Sequence, residues 1–265
     1  MIGYAVAVNP ELASYRLRVA IPAPHMGLDY VIGRPAERSF FYKQGNPAVA
    51  RTCGPVVFDV VNDHFDSQPS VGEMCRLASA ITCGSDAMAR TVYDCTGRDA
   101  VVIDDPYEMD EQAAACSGST VAWFGHAANL RSLVPHVERL QGLRLVVCTN
   151  HDAPSIVRWT MDSERACLEA CAVALLTGAN RGASSNRVVK ALRAGRFVVM
   201  PHDCPEAWRQ FAPFVWVGNV REGVEWALGN RAKAVERVRA GQEYVRERFS
   251  PATIGRQWAA VFQSI

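Results

Sequence analysis

Residues 172–200 have the sequence AVALLTGANRGASSNRVVKALRAGRFVVM, in which two short apolar runs flank a segment of helix length. The runs at 172–176 and 197–200 are apolar throughout, which is typical of strands that are buried on both faces of a sheet. Residues 184–194 are expected to form the helix, and the segment 177–187 that leads into it is rich in Gly, Ser and Asn. Since parallel strands need a crossover of this kind, the stretch predicts a β-α-β unit.

The same alternation of apolar strands and helices extends over the rest of the chain. Ser85 and Gly97 are the expected caps of one helix, and Ser250-Pro251 is the expected start of the last one. The other predicted strands are at residues 4–8, 55–61, 80–83, 100–103, 120–124, 144–148 and 214–217. This pattern predicts an α/β fold with parallel sheets that are covered by helices on both faces.

A change of composition near residue 112 divides the predicted elements into two blocks. Residues 1–112 are expected to form one Rossmann-like domain and residues 113–265 a second, and the last helix could cross back to the first domain. The two domains are expected to face a cleft. Because ligands of open α/β sheets bind beyond the carboxyl ends of the strands, we expect the functional residues directly after each strand.

The composition is that of an ordinary globular protein. The chain has 265 residues, of which 49% are hydrophobic, and its formal net charge of +1 gives no general attraction to nucleic acid or membrane. No apolar run approaches the roughly 18 residues of a membrane helix, and the N-terminus lacks a signal-peptide pattern, so a cytoplasmic location is expected. Nine Cys occur without a C-x-x-C pair, which favours reduced thiols over a metal site.

Two groups of polar residues follow predicted strands in the first block. Ser14 and Arg16 come after the first strand, where a hydroxyl and a guanidinium could hold a phosphate, or could simply begin an exposed helix. Asp63 and His64 come after the strand at 55–61 and are candidates for acid/base catalysis, together with Asp59 in the strand. The alternative is a turn in which Asp63 caps the following segment.

Two further groups follow strands in the second block and are candidates for binding a diphosphate. Gly125 and His126 follow the strand at 120–124, and Arg131 lies on the helix after them. The second group is the predicted N-terminus of the helix at 184–194, where backbone N–H groups favour an anion. Its candidate ligands are Ser184, Ser185, Asn186 and Arg187. A pyridine or flavin dinucleotide is not favoured because the chain contains no G-x-G-x-x-G motif.

Several segments, in this order and spacing, resemble glycosyltransferases of the GT-B fold, in the family-4-like branch (glycosyl transferases group 1). The segments of the first block are ASYRLRVAIPA (13–23) and AITCGSDAMARTVYDCTGRDAVVIDDPYE (80–108). Those of the second block are WFGHAANLRSL (123–133), IVRWTMDSERACLEACAVALLTG (156–178), SSNRVVKALRAGRFVVMP (184–201) and FVWVGNVREGVEWAL (214–228). The resemblance implies an acceptor-side first domain and a second domain that binds a nucleotide sugar. It places Gly125, His126 and Arg131 at the donor diphosphate.

The chain departs from this family at two acidic positions. The retaining branch has two Glu eight positions apart near the donor helix, and the second contacts the ribose of the donor. Gly182 and Lys190 occupy these places here. Lys190 is therefore counted among the expected donor-binding residues, and the group that would hold the ribose is left open.

The leading hypothesis is a glycosyltransferase that needs no metal or other cofactor and transfers a sugar from a UDP- or GDP-linked donor. Arg131, Arg187 and the helix N-terminus would stabilise the leaving diphosphate, and Asp63 or His64 would orient or deprotonate the acceptor hydroxyl. Retention of configuration is implied by the resemblance. The acceptor could be a glycan or a small molecule. The alternatives are transfer to a modified base of phage DNA, a non-catalytic nucleotide or sugar-phosphate binding protein, and a sugar-nucleotide epimerase.

Overall fold

The computed structural model describes residues 1–6, 9–43, 45–178 and 182–265. These residues form two compact units. The first unit contains residues 1–108, 182–185 and 248–265, and the second contains residues 109–181 and 186–247. The structure divides the chain between residues 108 and 109, and the boundary was predicted at residue 112. The short segment 182–185 groups with the first unit although its neighbours in sequence belong to the second.

The first unit is built on a parallel sheet with the strand order β2-β1-β3-β4-β5-β6. Its strands are β1 (Ile2–Tyr4), β2 (Tyr30–Ile32), β3 (Arg38–Tyr42), β4 (Val56–Val60), β5 (Ala80–Cys83) and β6 (Val101–Val102). Its first helices are α1 (Ala13–Tyr15), which continues as a π-helix over Arg16–Ala20, α2 (Pro47–Ala50), α3 (Pro69–Leu77) and α4 (Asp86–Thr96). Ser85 and Gly97 cap α4 as predicted, the first by accepting a hydrogen bond from the Met88 N–H group.

The sequence did not predict all the strands of this unit. The strands β2 and β3 were not predicted, because β2 is a three-residue edge strand and β3 carries polar residues at its start. The strand predicted at residues 4–8 begins earlier, as β1, and residues 7 and 8 lie outside the described residues. The strands at β4 and β5 agree with the prediction to within one residue at each end.

The second unit contains a parallel sheet with the strand order β12-β11-β10-β7-β8-β9. Its strands are β7 (Thr120–Phe124), β8 (Arg144–Thr149), β9 (Ile156–Arg158), β10 (Val173–Leu175), β11 (Phe197–Met200) and β12 (Trp216–Val217). Its helices are α5 (Leu130–Val137), α6 (Met161–Ala170), α7 (Asn186–Arg193), α8 (Val220–Gly229) and α9 (Arg231–Arg248), whose last residue groups with the first unit. The chain order reverses between β10 and β7, which makes the carboxyl ends of these two strands the topological switch point.

The last helix, α10 (Pro251–Gln263), belongs to the first unit and closes its hydrophobic core. Ser250 caps the helix by accepting a hydrogen bond from the Thr253 N–H group, and Pro251 is its first residue, as predicted. Trp258 and Phe262 pack in the same buried cluster as Tyr4 and Phe40 of the sheet. The second unit has a separate core that includes Trp123, Leu175, Phe197 and Val224.

The nine cysteines are free thiols, and seven of them are buried. Burial raises the pKa of the thiols of Cys83 and Cys171, among others, to about 11 and about 12. This agrees with the interpretation of the cysteines as reduced, inert thiols. No helix of the described residues combines the length and hydropathy that crossing a bilayer requires.

Candidate functional site

A cavity of about 820 Å³ lies within the second unit, beside the carboxyl ends of its strands. Its walls come from α5, from the 3-10 turn Glu138–Leu140 that follows it, and from the loops that follow β10, β11 and β12. The lining residues are Arg131, Ser132, Pro135, His136, Arg139, Thr177, Gly178, Pro201, His202, Asp203, Gly218 and Asn219. Clefts of this size at a topological switch point are the usual binding sites for small ligands in open α/β sheets.

The cavity wall carries more positive than negative charge. Arg131 and Arg139 are exposed, and neither guanidinium has a hydrogen-bond or ion-pair partner among the described residues. Asp203 is the acidic residue of the lining. Burial, and then the neighbouring Arg139, lower the pKa of His136, which favours the neutral form of this imidazole. Two unpaired guanidinium groups in one cleft are suited to an anionic ligand.

A chain of hydrogen bonds supports the wall near the switch point. The indole Nε1 of Trp123 donates to Thr177 Oγ1 over 2.8 Å, and Thr177 Oγ1 lies 2.9 Å from Ser132 Oγ. Ser132 Oγ in turn donates to the carbonyl oxygen of Asn129 over 2.7 Å. The chain links β7, the loop after β10 and the start of α5, and so fixes the positions of two cavity residues, Ser132 and Thr177.

Arg187 lies close to this wall but has a different environment from the one expected. Its Nη1 donates to the Thr177 carbonyl oxygen over 2.8 Å and its Nη2 donates to the Phe124 carbonyl oxygen. The guanidinium carbon lies 5.1 Å from the ring centre of Trp123 and 5.5 Å from that of Trp208. Burial lowers the pKa of Arg187 to about 10, against a smaller opposing effect of Glu164. The prediction that Arg187 grips a phosphate directly is therefore not supported, since its terminal nitrogens already bridge the ends of β7 and β10.

The close approach of Arg187 explains why residue 125 is a glycine. A Cβ atom at this position would lie 3.1 Å from the guanidinium carbon of Arg187 and 3.2 Å from the ring of Trp123. The absence of a side chain thus allows close packing on Arg187. The next residue, His126, is exposed, and its Nδ1 accepts a hydrogen bond from the Ala128 N–H group over 3.2 Å, which leaves Nε2 as the protonated nitrogen.

Lys190 forms a buried ion pair within the second unit. Its Nζ lies 2.7 Å from Glu164 Oε1, and the other carboxylate oxygen of Glu164 accepts a hydrogen bond of 2.8 Å from the indole of Trp159. Both charged side chains are mostly buried, at 16% and 9% exposure. The direct donor contact expected of Lys190 is therefore not supported, because this cation already has an anionic partner.

The segment that leads into α7 is only partly described. Residues 179–181 lie outside the described residues. Ser184 and Ser185 precede the helix and group with the first unit, and α7 begins at Asn186 rather than at residue 184. Ser185 is fully buried, whereas Ser184 and Asn186 are partly exposed. Their proposed contact with a diphosphate remains a prediction.

In the first unit, Arg16 has a carboxylate partner. Its Nε lies 2.6 Å from Glu108 Oε2, and its Nη1 donates to the carbonyl oxygens of Pro10 and Glu11. These contacts do not support the phosphate-binding role predicted for Arg16. Ser14 lies within α1, near Tyr42, whose pKa is raised mainly by burial.

Asp59 is not available for acid/base catalysis. It is completely buried, and both of its oxygens are bound by the guanidinium of Arg18, at 2.6 and 2.9 Å. Asp63 and His64 follow the end of β4 as predicted, with Asp63 exposed and His64 partly buried. Their catalytic role remains a prediction.

Among the predicted residues, all of which are described, Arg131 is the one that lines the cavity. The other lining residues were not predicted as ligands from the sequence, although Thr177 and Gly178 belong to the predicted segment 177–187. Arg139 lies beyond the end of α5, in the 3-10 turn Glu138–Leu140, and no sequence pattern marked it. His202, Asp203 and Asn219 follow predicted strands, which is the rule that should have included them.

Comparison with known proteins gives a fold but no family. No family model and no curated protein matches the chain. HepE of Anabaena, solved in complex with UDP and glucose, aligns over 100% of this chain and 99% of its own with a TM-score of 0.74 and 11% identity. The chain has the GT-B fold.

Two other solved structures have the same fold. Sucrose-phosphate synthase of Thermosynechococcus elongatus covers 98% of this chain, at a TM-score of 0.66 and 9% identity, and 80% of its own length is aligned. TarM covers 85% of this chain at a TM-score of 0.66 and 11% identity. This chain spans about half the length of TarM, 54%. The expectation of two Rossmann-like units of the GT-B type, with parallel sheets, is confirmed.

Proposed function

We propose that the protein is a glycosyltransferase that transfers a sugar from a nucleoside-diphosphate sugar to a hydroxyl acceptor. The observation that carries the proposal is the cavity of the second unit with the unpaired guanidinium groups of Arg131 and Arg139. A GT-B neighbour, HepE, has been solved with UDP and with UDP-glucose, which supports a donor of this class. A UDP-linked donor is the first candidate, and a GDP-linked donor is the second.

The charges of the cavity match those of such a donor. The diphosphate of a nucleotide sugar has two negative charges, and a third develops as the bond to the sugar breaks. Arg131 and Arg139 supply two positive charges that no other described residue neutralises. Positive charge placed where the leaving group becomes negative lowers the barrier to transfer. We therefore propose that the enzyme does not require a divalent cation for this step.

Three finer parts of the proposal rest on the sequence. The resemblance to the retaining branch implies transfer with retention of configuration. Asp63 or His64 is proposed to orient or deprotonate the acceptor, which is a glycan or a small molecule. The third part is a cytoplasmic location.

A non-catalytic nucleotide-binding protein is the second candidate. Lys190, at a place where the related family has a glutamate, is bound to Glu164. An exchange of this kind would allow donor binding without turnover. Release of UDP or GDP from a nucleotide sugar in the presence of a broad panel of acceptors distinguishes the enzyme from a binding protein.

The proposal is tested by isothermal titration of the protein with UDP, GDP, UDP-glucose and GDP-mannose, with and without EDTA. We expect saturable binding of at least one ligand, unchanged by EDTA. Arg131→Ala and Arg139→Ala should each weaken it roughly ten- to hundredfold, because each removes a charge-assisted hydrogen bond.

Arg165→Ala is the matched control, since Arg165 is an exposed arginine of α6 that does not line the cavity. This variant should bind the ligand as tightly as the original protein. Absence of binding to all four ligands would contradict the proposal, and loss of binding on addition of EDTA would contradict metal independence.

A further inference from the structure

The hydrogen-bond chain on the cavity wall has a definite direction. An indole N–H group can only donate, so the hydrogen of Trp123 Nε1 points to Thr177 Oγ1. A backbone carbonyl oxygen can only accept, so the single hydroxyl hydrogen of Ser132 points to Asn129. The bond between Thr177 and Ser132 must then be donated by Thr177. Each donor of the chain is committed, and all point the same way.

This direction determines what Ser132 can offer to a ligand. Its oxygen donates one hydrogen bond and accepts one, which leaves one lone pair. Ser132 is partly exposed and lines the cavity, whereas Thr177 is only 1% exposed. The wall at Ser132 therefore presents an acceptor and no available donor. The oxygens of an ionised phosphate carry no hydrogen and cannot bind to such a group, but a hydroxyl group of a ligand can.

We infer that Ser132 Oγ accepts a hydrogen bond from a hydroxyl group of the bound nucleotide sugar and so helps to select the ligand. The inference rests on the proposed function and assigns separate parts of the cavity to separate parts of the donor. Arg131 and Arg139 bind the diphosphate, and Ser132 binds a hydroxyl of the transferred sugar or of the ribose. Both hydroxyl-bearing groups have the required chemistry.

Because the hydrogen bonds from Trp123 to Asn129 hold Ser132 in place, Ser132 favours a hydroxyl group over a phosphate oxygen. If the serine turned its hydrogen toward a phosphate, it would give up the 2.7 Å bond to Asn129. Thr177 Oγ1 is held by Trp123 on one side and by Ser132 on the other, so it cannot supply a hydrogen instead. A hydroxyl group binds without any rearrangement of these three side chains.

A double-mutant cycle between Ser132 and individual ligand hydroxyls tests the inference. The original protein and Ser132→Ala are titrated with UDP-glucose, with its 2′-deoxyribose and 3′-deoxyribose forms, and with forms that lack one glucose hydroxyl. GDP-mannose and its deoxy forms are used if the GDP-linked donor is the one that binds. A structural effect of Ser132→Ala weakens all forms equally and cancels in the cycle.

We expect one deoxy form to bind the original protein about three- to tenfold more weakly than the parent ligand, the size of one hydrogen bond. With Ser132→Ala, this form and the parent should bind equally. The ribose and glucose series show which part of the donor is recognised. Fluorine in place of the same hydroxyl should also weaken binding, since fluorine cannot donate. Ser132→Thr, which keeps a hydroxyl, should restore the difference.

The inference is overturned if the original protein binds UDP-glucose or GDP-mannose but no single hydroxyl couples to Ser132. It is also overturned if Ser132→Ala weakens binding of the nucleotide sugar no more than it weakens binding of inorganic pyrophosphate, since Ser132 would then contribute nothing to the binding of a hydroxyl group. If neither nucleotide sugar binds to the original protein, both the proposed function and the inference are overturned. This result is distinguishable from binding without coupling, which overturns the inference alone.

Discussion

Arg187 is a charged side chain that stabilises the switch point from inside. Its guanidinium lies among aromatic rings, and it joins the carbonyl oxygens of Phe124 and Thr177, one at the end of β7 and one after β10. Its Nε is buried without a hydrogen-bond partner. Burial disfavours the charged form, which is why the pKa falls to about 10, but the group remains charged at pH 7. Arg187 is thus a positioning residue for the loops that build the cavity.

Arg187→Lys should lower the free energy of unfolding of the second unit by about 1–3 kcal/mol. An ammonium group lacks the planar fork that reaches two carbonyl oxygens at once, so at least one buried acceptor loses its partner. Urea unfolding followed by tryptophan fluorescence measures the change, because Trp123 and Trp208 lie beside the substituted side chain.

Arg165→Lys provides the control for this substitution, as an exposed arginine of the same unit. Surface changes of this kind leave stability within about 0.5 kcal/mol. An unfolding midpoint of Arg187→Lys equal to that of the original protein would show that the two carbonyl contacts do not stabilise the unit.

At the scale of elements, the caps of helices α4 and α10 were predicted correctly from the sequence. Helix α4 begins after Ser85 and ends at Gly97, whose φ of 66° is in the left-handed region. The Gly97 N–H group donates to the carbonyl oxygen of Tyr93. Caps depend on one or two neighbouring residues, so their signals survive without knowledge of the fold.

Gly97→Ala should destabilise α4 by about 1–2 kcal/mol, because a Cβ atom is unfavourable at a positive φ. No atom would contact that Cβ within 4 Å, so the cost is purely conformational. Native-state hydrogen exchange of the α4 amides measures the local stability.

The same substitution at Gly229 should have the opposite sign. Gly229 ends α8 without a positive φ, and a Cβ there also meets nothing within 4 Å. Gly229→Ala should therefore stabilise α8 by about 0.5–1 kcal/mol. Equal effects of the two substitutions would contradict the conformational explanation.

At the scale of the whole molecule, each of the two units has hydrophobic clusters of its own: among the described residues, two clusters lie in the first unit and one in the second. The core of the first unit includes Trp258, which is 1% exposed and lies 5.3 Å from the ring of Phe40. In the second unit, Trp208 is also 1% exposed and lies beside the guanidinium of Arg187. Since α10 follows the whole second unit in sequence, the first unit is completed by residues from both ends of the chain.

Trp258→Ala should loosen the first unit and leave the second nearly unchanged. Loss of a buried aromatic side chain costs about 3–5 kcal/mol in the core that contained it. Hydrogen exchange should accelerate in β1 and β3 but not in β7 and β10, and Trp208→Ala should give the reverse pattern. If Trp258→Ala accelerated hydrogen exchange in the sheets of both units, the stabilities of the two units would not be independent.

The fold class, most of the strands and helices, and the helix caps were predicted from the amino-acid sequence alone. Strands such as β7 and β11 were predicted without error because continuous apolar runs and caps are local features of the chain. The site was predicted less well, since it depends on what each polar side chain contacts. Arg16, Arg187 and Lys190 have the composition of phosphate ligands, yet the tertiary structure gives them internal partners.

Only the tertiary structure selected the residues that remain available to a ligand. Arg131 and Arg139 are unpaired because no described residue brings a carboxylate or carbonyl to their guanidinium groups, whereas Glu108, Glu164 and the Phe124 carbonyl reach the other three cations. Partners of this kind come from positions far apart in sequence. Residue type therefore shows which side chains could bind an anion, and the packing of distant segments decides which of them are free to do so.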